Sequence, residues 1–391
     1  MKRQRRMISV LLSVVLLVVL VGLSLPVQGG DLDAWMMEAQ VGPYTPQEED
    51  WDAVYEKAKQ EGEVVIYAST SRIFDGAESF ERAYPGITVE AYNLSGVEIV
   101  EKLEREWAAG IRNVDIIMTS DVARGLEQMI DEGMIVNYVP PELVPVISER
   151  FREPILCHRF GSTVWAYSSI AYDEAPVSNI WELTLPEWKN KVVVRDPMRS
   201  GGTMMTFVDW VGNADKLAEA YEEFFGKPIE LTTPNAGYEL IKRLLDNGLQ
   251  LAPGSREVNT AVSQHDIPNP PIGQVTSSKY RDVIEGRENF EIIWEMEPTS
   301  GYAYLTRMPI VGFAPHPNAA KLLILHLVGG LDGMGEGYDP WRVPGNFPVR
   351  DDIPTPEPFK HHSEYDYWYE DLGVIEEHVV DVMDFWLQHV M

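Results

Sequence analysis

The chain has 391 residues, 45% of them hydrophobic and 10% aromatic. That is enough for two lobes with a core each, and it excludes a disordered, collagen-like or disulfide-stapled class. Its 61 acidic residues outnumber 32 basic ones, for a formal net charge of -29; so acidic a surface is repelled by phosphate backbones and anionic lipid, so no nucleic-acid partner is expected. The lone cysteine, Cys157, rules out an internal disulfide and reads as a buried apolar thiol rather than a nucleophile.

Lys2, Arg3, Arg5 and Arg6 precede an apolar run from Met7 to about Leu25, followed by Pro26-Val27-Gln28-Gly29-Gly30. Basic, apolar, then small residues is the layout of a secretory signal peptide, here residues 1–29. The run is long enough that an uncleaved signal-anchor is the alternative. No cysteine near the cut suggests a lipoprotein anchor. Both readings export the remaining chain, to a periplasm or an outer cell surface.

Residues 31–45 read as a loose leader. Thr45 is a candidate N-cap, with Pro46 in the first turn of a helix that runs to about Gln60 and ends near Gly62. A regular alternation follows. Val64 to Tyr67, Ile87 to Tyr92 and Val114 to Met118 read as strands. Phe74 to Tyr84, Val97 to Gly110 and Val122 to Asp131 read as helices between and after them. Strand and helix in strict alternation imply a parallel sheet covered on both faces.

A second region begins near Gly161. Thr163 to Tyr167 reads as a strand leading out of the first lobe, Trp181 to Trp188 as a short helix and turn, and Lys191 to Val194 as a strand. Helices are expected over about 203–212, 214–225, 236–247 and 256–265, and strands over Ile272 to Val275 and Phe290 to Trp294. Pro309 to Phe313 reads as a strand, Pro317 to Val328 as a helix, and 364–391 as helical. There is no internal repeat and no low-complexity tract.

The first three strands each end in small polar residues before a helix: Ser69-Thr70-Ser71, Asn93-Leu94-Ser95-Gly96 and Thr119-Ser120-Asp121. Parallel strands bring these turns to one sheet edge, where helix N-termini offer free N–H groups and open α/β sheets bind ligands. Each could equally be an ordinary helix cap. Ser200-Gly201-Gly202-Thr203 follows a strand and opens a helix. Its glycines allow close backbone approach, its N–H groups can cradle an oxyanion, and Arg199 adds charge. A plain capped turn is the competing reading.

Walker A, GxGxxG, HExxH, CxxC and GxSxG patterns are all absent. His361-His362 with Glu364 and Asp366 could hold a metal or form a solvated surface. Asp332, Glu336 and Asp339 faintly suggest calcium but match no EF-hand spacing. Trp165, Tyr167 and Trp294 read as core, whereas Tyr280 follows the polar run Ser277-Ser278-Lys279.

In this order, the segments Glu63 to Ser69, Ser95 to Val100, Val114 to Asp121, Asp196 to Thr203, Ala314 to Lys321 and Asn346 to Arg350 resemble the extracellular solute-binding proteins of ABC importers. The class is the type 2 periplasmic-binding class, in the branch of ferric-iron, polyamine and phosphonate binders. The resemblance covers about 62–350. It implies an α/β fold of two lobes, each a mostly parallel sheet flanked by helices, with the ligand between them. Residues 30–61 would form a leader and helix, 62–165 plus 300–345 lobe one, and 166–299 plus 346–391 lobe two. The resemblance places ligand contacts at Ser69, Thr70, Ser95, Ser120, Ser200, Gly201, Gly202 and Thr203, and puts Glu98 near an acidic position that some iron binders use. Ser71, Gly96, Asp121, Arg199, Ser277, Ser278 and Tyr280 complete the candidate site.

Ferric binders of this branch carry adjacent tyrosines where this chain has Ser277-Ser278, and a histidine expected near Arg72-Ile73 is missing. Fe(III) prefers phenolate and carboxylate oxygens to neutral hydroxyls. The expected ligand is therefore a small oxyanion: a phosphonate, phosphate ester or carboxylate. It would be captured without turnover, with no cofactor, and passed to a membrane permease. The alternatives are ferric-iron binding by the same fold and a secreted metal-assisted hydrolase using His361-His362.

Overall fold

The computed structural model describes residues 29–123 and 125–390. The expected export segment, up to residue 28, lies outside them. Among the described residues no helix is long and apolar enough to cross a membrane.

The leader is not loose. Helix α1 spans Gly29–Ala39. Leu32, Trp35 and Met36 recur at helical spacing and share one face. Leu32 lies against Gly133, Met36 against Gly42, and the Trp35 ring is 5.8 Å from that of Phe313. Helix α2 (Trp51–Glu61) starts later than expected, because Asp50 rather than Thr45 caps it. Ala53 N–H donates to Asp50 Oδ1 at 3.0 Å, while the Thr45 hydroxyl donates to the Gly42 carbonyl. Gly62 ends α2 at φ +79°, a left-handed conformation that glycine adopts without a Cβ penalty.

The alternation then runs close to expectation: β1 (Glu63–Ala68), α3 (Ile73–Ala83), β2 (Thr88–Asn93), α4 (Gly96–Ala108), β3 (Ile116–Met118), α5 (Leu126–Asp131) and β4 (Ile135–Val136). The helix expected from Val122 divides into a 3-10 turn over Asp121–Ala123 and α5. After the single turn α6 (Glu149–Arg152) come β5 (Cys157–Ser168), β6 (Val192–Arg195), α7 (Gly201–Gly212), α8 (Ala214–Phe225), α9 (Ala236–Asp246), β7 (Gln250–Ala252), α10 (Ser255–Val262), β8 (Ile272–Thr276), α11 (Tyr280–Ile284), β9 (Phe290–Ile292) and β10 (Gly301–Arg307). The chain closes with β11 (Ile310–Val311), α12 (Pro317–Leu327), β12 (Phe347–Pro348), β13 (Tyr367–Tyr369) and α13 (Leu372–His389). Residues 364–371 were expected in the last helix. Instead Tyr367-Trp368-Tyr369 pairs parallel to β10, as an aromatic run favours, and Asp371 caps α13.

Two sheets result. The first has the order β2-β1-β3-β11-β4, with β1 parallel to both β2 and β3. The second runs β13-β10-β5-β8-β6-β7, with β9 and β12 also paired to β5. The chain passes between them at two adjacent points, Leu156–Cys157 and Arg307–Met308, and a third time between β11 and β12. Met308 N–H donates to Leu156 O at 2.8 Å, and Thr119 and Arg307 exchange backbone hydrogen bonds of 3.1 and 3.0 Å. All of β5 belongs to the second sheet, so position 165/166 falls inside a continuous strand.

Apolar strand residues such as Val64, Ile66 and Ile116 are fully buried on the first sheet, and Trp181, Phe207, Trp210 and Trp386 fill the core of the second. Cys157 is fully buried, and burial pushes its thiol up to about 12, so it is an inert packing residue as expected.

Candidate functional site

The turns after β1, β2 and β3 lie on one sheet edge because these strands are parallel. Most of their polar side chains serve the fold. Ser69 N–H and hydroxyl both donate to Met118 O, at 2.9 and 3.4 Å. Thr70 Oγ1 accepts from Arg72 N–H, and Ser71 is exposed. Ser95 caps α4 in a reciprocal box with Glu98, whose carboxylate accepts from Ser95 N–H and hydroxyl, both at 2.8 Å. Glu98 is exposed, and these hydrogen bonds hold its carboxyl below the usual range. It is a capping residue in this arrangement.

Asp121 behaves differently. Its N–H and one carboxylate oxygen meet Thr119 Oγ1 at 3.2 and 3.5 Å, and the carboxylate fills the space in which Gly96 would carry a Cβ. A side chain at 96 would displace it. Burial raises the Asp121 pKa, against the pull of Arg195. From the second sheet, α7 points its amino end at this carboxylate: a Cβ on Gly201 would lie 2.9 Å from Asp121 Oδ1. The two sheet edges therefore meet here. Ser200, itself buried, caps α7 by accepting from Thr203 N–H at 3.3 Å and Thr203 hydroxyl at 3.0 Å. Ser120 is half-buried beside Asp121.

The cations gathered around this meeting point were not anticipated. Arg195, at the end of β6, places its guanidinium 3.3 Å from the Cβ position of Gly202, at the positive end of the α7 dipole. Arg159 and Thr163, four residues apart on a strand of period two, project from the same face of β5. Between them Gly161 has no side chain, and the Tyr304 hydroxyl from β10 occupies that space. Arg72, from the turn after β1, feels both Arg159 and Arg281 of α11. Burial, then these two cations, lowers its pKa to about 10. Burial likewise lowers Arg159 and Arg195.

Among the described residues, Arg72, Arg159 and Arg195 have no ion pair or side-chain hydrogen bond, whereas Arg243, Arg307 and Arg350 each hold a carboxylate. Arg159 Nε, Thr163 Oγ1 and Tyr338 Oη are buried without a partner, and Tyr338 is close enough to feel the Arg159 charge. Burial raises the Tyr304 pKa although Arg159 and Arg195 oppose it, so its phenol stays a hydrogen-bond donor. Buried donors are seldom left unmatched. Converging cations, hydroxyls and a helix amino end have the chemistry to hold an anion.

The other expected site residues take different places. Arg199 is exposed and points to solvent, 3.9 Å from Asp196. Ser277 is fully buried and structural: its hydroxyl donates to Gly345 O at 2.6 Å and accepts from Ser162 N–H. Ser278 is half-buried. Tyr280 donates to Glu291 at 2.8 Å and packs edge-on against Phe359. In the loop with Asp332, Glu336 pairs with Arg82 and Asp339 with Arg342. Trp165 and Tyr167 are core, as expected. A cavity of about 760 Å³ lies elsewhere, an apolar groove lined by Leu32, Met36, Ile135 and Val136.

No protein-family model and no curated protein matches the sequence. Solved structures do resemble it. Iron-bound HitA from Pseudomonas aeruginosa gives a TM-score of 0.63 at 13% identity, over 84% of this chain and 99% of its own. The apo ferric ion-binding protein A of Pasteurella haemolytica gives 0.62 at 16%, over 84% and 97%. The chain has the two-lobed fold of periplasmic binding proteins. A third example is the periplasmic binding protein AfuA from Actinobacillus pleuropneumoniae, with exogenous fructose-6-phosphate bound, at 0.61 and 15%, over 84% and 98%.

The first-sheet turns and the amino end of α7 approach one another at Asp121. Gly96, Asp121, Gly201 and Gly202 come together there. Arg72, Arg159, Thr163, Arg195 and Tyr304 join them. An arginine inside the apolar strand run of β5, and another ending Val192-Val193-Val194, were signals available in the sequence.

Proposed function

We propose that the protein is the exported solute-binding component of an ABC importer. It captures a small oxyanion (a phosphate ester, phosphonate or carboxylate) in the interlobe cleft and passes it unaltered to a membrane permease. One observation carries the reading: among the described residues, Arg72, Arg159 and Arg195 gather without an ion pair or side-chain hydrogen bond, in a chain that has 61 acidic side chains. An anion bridging Arg72 from one sheet and Arg159 and Arg195 from the other would draw the lobes shut. Asp121 adds an acceptor for a hydroxyl or ammonium elsewhere on the ligand. The same cations disfavour a bare Fe(III) ion, with which they would compete for Asp121.

The sheet assignment supports lobe boundaries at the two adjacent crossings and at the later return between β11 and β12. Lobe one then runs through Leu156 and resumes over 308–345, and lobe two takes 157–307 with the C-terminal segment. This moves β5 and β10 into lobe two.

A calorimetric and thermal-unfolding screen tests the reading. A true ligand at a hundredfold excess over its Kd stabilises by about 2.7 kcal/mol. Arg159→Gln should weaken it by on the order of 100-fold, the loss of one charge-assisted contact left unpaired, with no product formed by wild type. If ferric ion alone stabilises wild type and Arg159→Gln equally while no oxyanion does, the anion reading is wrong.

A further inference from the structure

A second site lies on the other side of β5. Adjacent strand residues point to opposite faces, so Phe160 faces away from the Arg159 side of the strand. The His362 ring meets Phe160 and Phe151 edge-on, with centroids 5.2 and 5.4 Å away. The His361 ring lies 4.3 Å from that of His362. The sequence pairs these histidines with Glu364 and Asp366. The chain instead brings up Asp351, ten positions earlier, because Asp351 N–H is tied to Val146 O at 2.9 Å and Arg350 is anchored on the Val328 and Leu331 carbonyls.

The three ligand atoms of Asp351, His361 and His362 lie within 4.8 Å of one another. His361 Nε2 is 3.7 Å from Asp351 Oδ1. The opposite ring nitrogens are held by hydroxyls: His361 Nδ1 is 2.8 Å from Ser363 Oγ, and His362 Nδ1 is 2.8 Å from Tyr369 Oη. The Tyr369 contact can orient the His362 ring with its Nε2 lone pair toward an ion. His361 Nδ1 also accepts from Ser363 N–H at 3.4 Å, so metal binding would move that ring's proton to Nδ1, where it would be donated to Ser363 Oγ. His362 Nε2 is buried and has no partner.

We propose that Asp351, His361 and His362 bind one divalent transition cation of the zinc type, outside the ligand cleft. Two imidazoles, one carboxylate and an open position match the donor set of a four-coordinate zinc site. Tetrahedral bonds of about 2.0–2.1 Å need donor atoms about 3.4 Å apart. Small movements of Asp351 and His361 supply that approach, since both lie at the surface. The ion would clip the proline-rich segment between Asp351 and His361 against the β5 wall. The site stands independently of what the cleft binds.

The test uses the purified protein after chelator treatment and dialysis. Titration with Zn²⁺ in a calorimeter, and with Co²⁺ by visible absorption, should give one ion per chain. His361→Ala and Asp351→Asn should each weaken Zn²⁺ binding by at least about 10-fold, while His265→Ala, an exposed histidine elsewhere, leaves it unchanged. Both site variants remove surface groups, so their metal-free unfolding midpoints should equal that of wild type. Failure to bind one equivalent, or equal affinity in wild type, His361→Ala and Asp351→Asn, overturns the proposal.

Discussion

Arginines without carboxylate partners are the residues that distinguish this cleft, because acidic groups are abundant elsewhere on the chain. Arg72, Arg159 and Arg195 stand close enough to influence one another or the same Tyr304, and that repulsion is tolerable where an anion completes the site. A single buried carboxyl allows a separate test. Asp209 on α7 is buried, which pushes its pKa up to about 8, against the pull of Lys216. The folded protein therefore keeps Asp209 protonated at neutral pH, while the unfolded chain ionises near pH 4. Its contribution to stability is present below that value and is lost as the pH rises to 8, by up to about 1.4 kcal/mol per unit. Asp209→Asn should flatten that part of the decline and raise the unfolding midpoint at pH 8. Parallel urea-denaturation profiles for the two proteins between pH 4 and 8 would contradict the assignment.

Helix starts are decided by which side chain reaches a free N–H, and the elements here divide on that point. Ser95 with Glu98, and Ser200 before Gly201, were visible as caps and also as ligand contacts. The structure uses their side chains for capping and leaves the backbone approach at Gly96, Gly201 and Gly202 to shape the cleft. For α2 the sequence suggested Thr45-Pro46 as the start, whereas Asp50 makes the capping bond. Asp50→Ala should cost about 1 kcal/mol and Thr45→Ala less than half of that, measured by urea unfolding. Equal losses would return the cap to Thr45. The last segment shows the opposite case: Tyr367-Trp368-Tyr369 has strand propensity within a helical composition, and only the free edge of β10 turns that preference into β13.

The two sheets are joined near a buried ion pair. Arg307, the last residue of β10, pairs with Glu370, and the Tyr302 hydroxyl lies 3.5 Å from the same carboxylate. Both charges are almost fully enclosed beside Cys157 and the crossing points. Removing one partner leaves the other charge uncompensated. Arg307→Met should therefore destabilise by about 3–5 kcal/mol, and adding Glu370→Leu should recover much of that loss. If the double variant is as unstable as Arg307→Met, the cost is packing at the crossing rather than a stranded carboxylate.

The amino-acid sequence by itself determined the alternating strands and helices of the first lobe, the three polar turns on one sheet edge, the Gly201-Gly202 helix start and the inert Cys157. These follow from local periodicity, capping and composition, which need no knowledge of distant residues. Tertiary structure alone decided that Arg72, Arg159 and Arg195 gather near Tyr304, that Ser277 is a buried strut, and that His361 and His362 look toward Asp351 rather than Glu364. Each of those outcomes depends on strands paired across long stretches of chain: β5 with β10 puts Tyr304 over Gly161, and the tie of Asp351 to Val146 brings a carboxylate to the histidines. A side chain's charge is written locally, but whether it finds a partner depends on what the fold lays beside it.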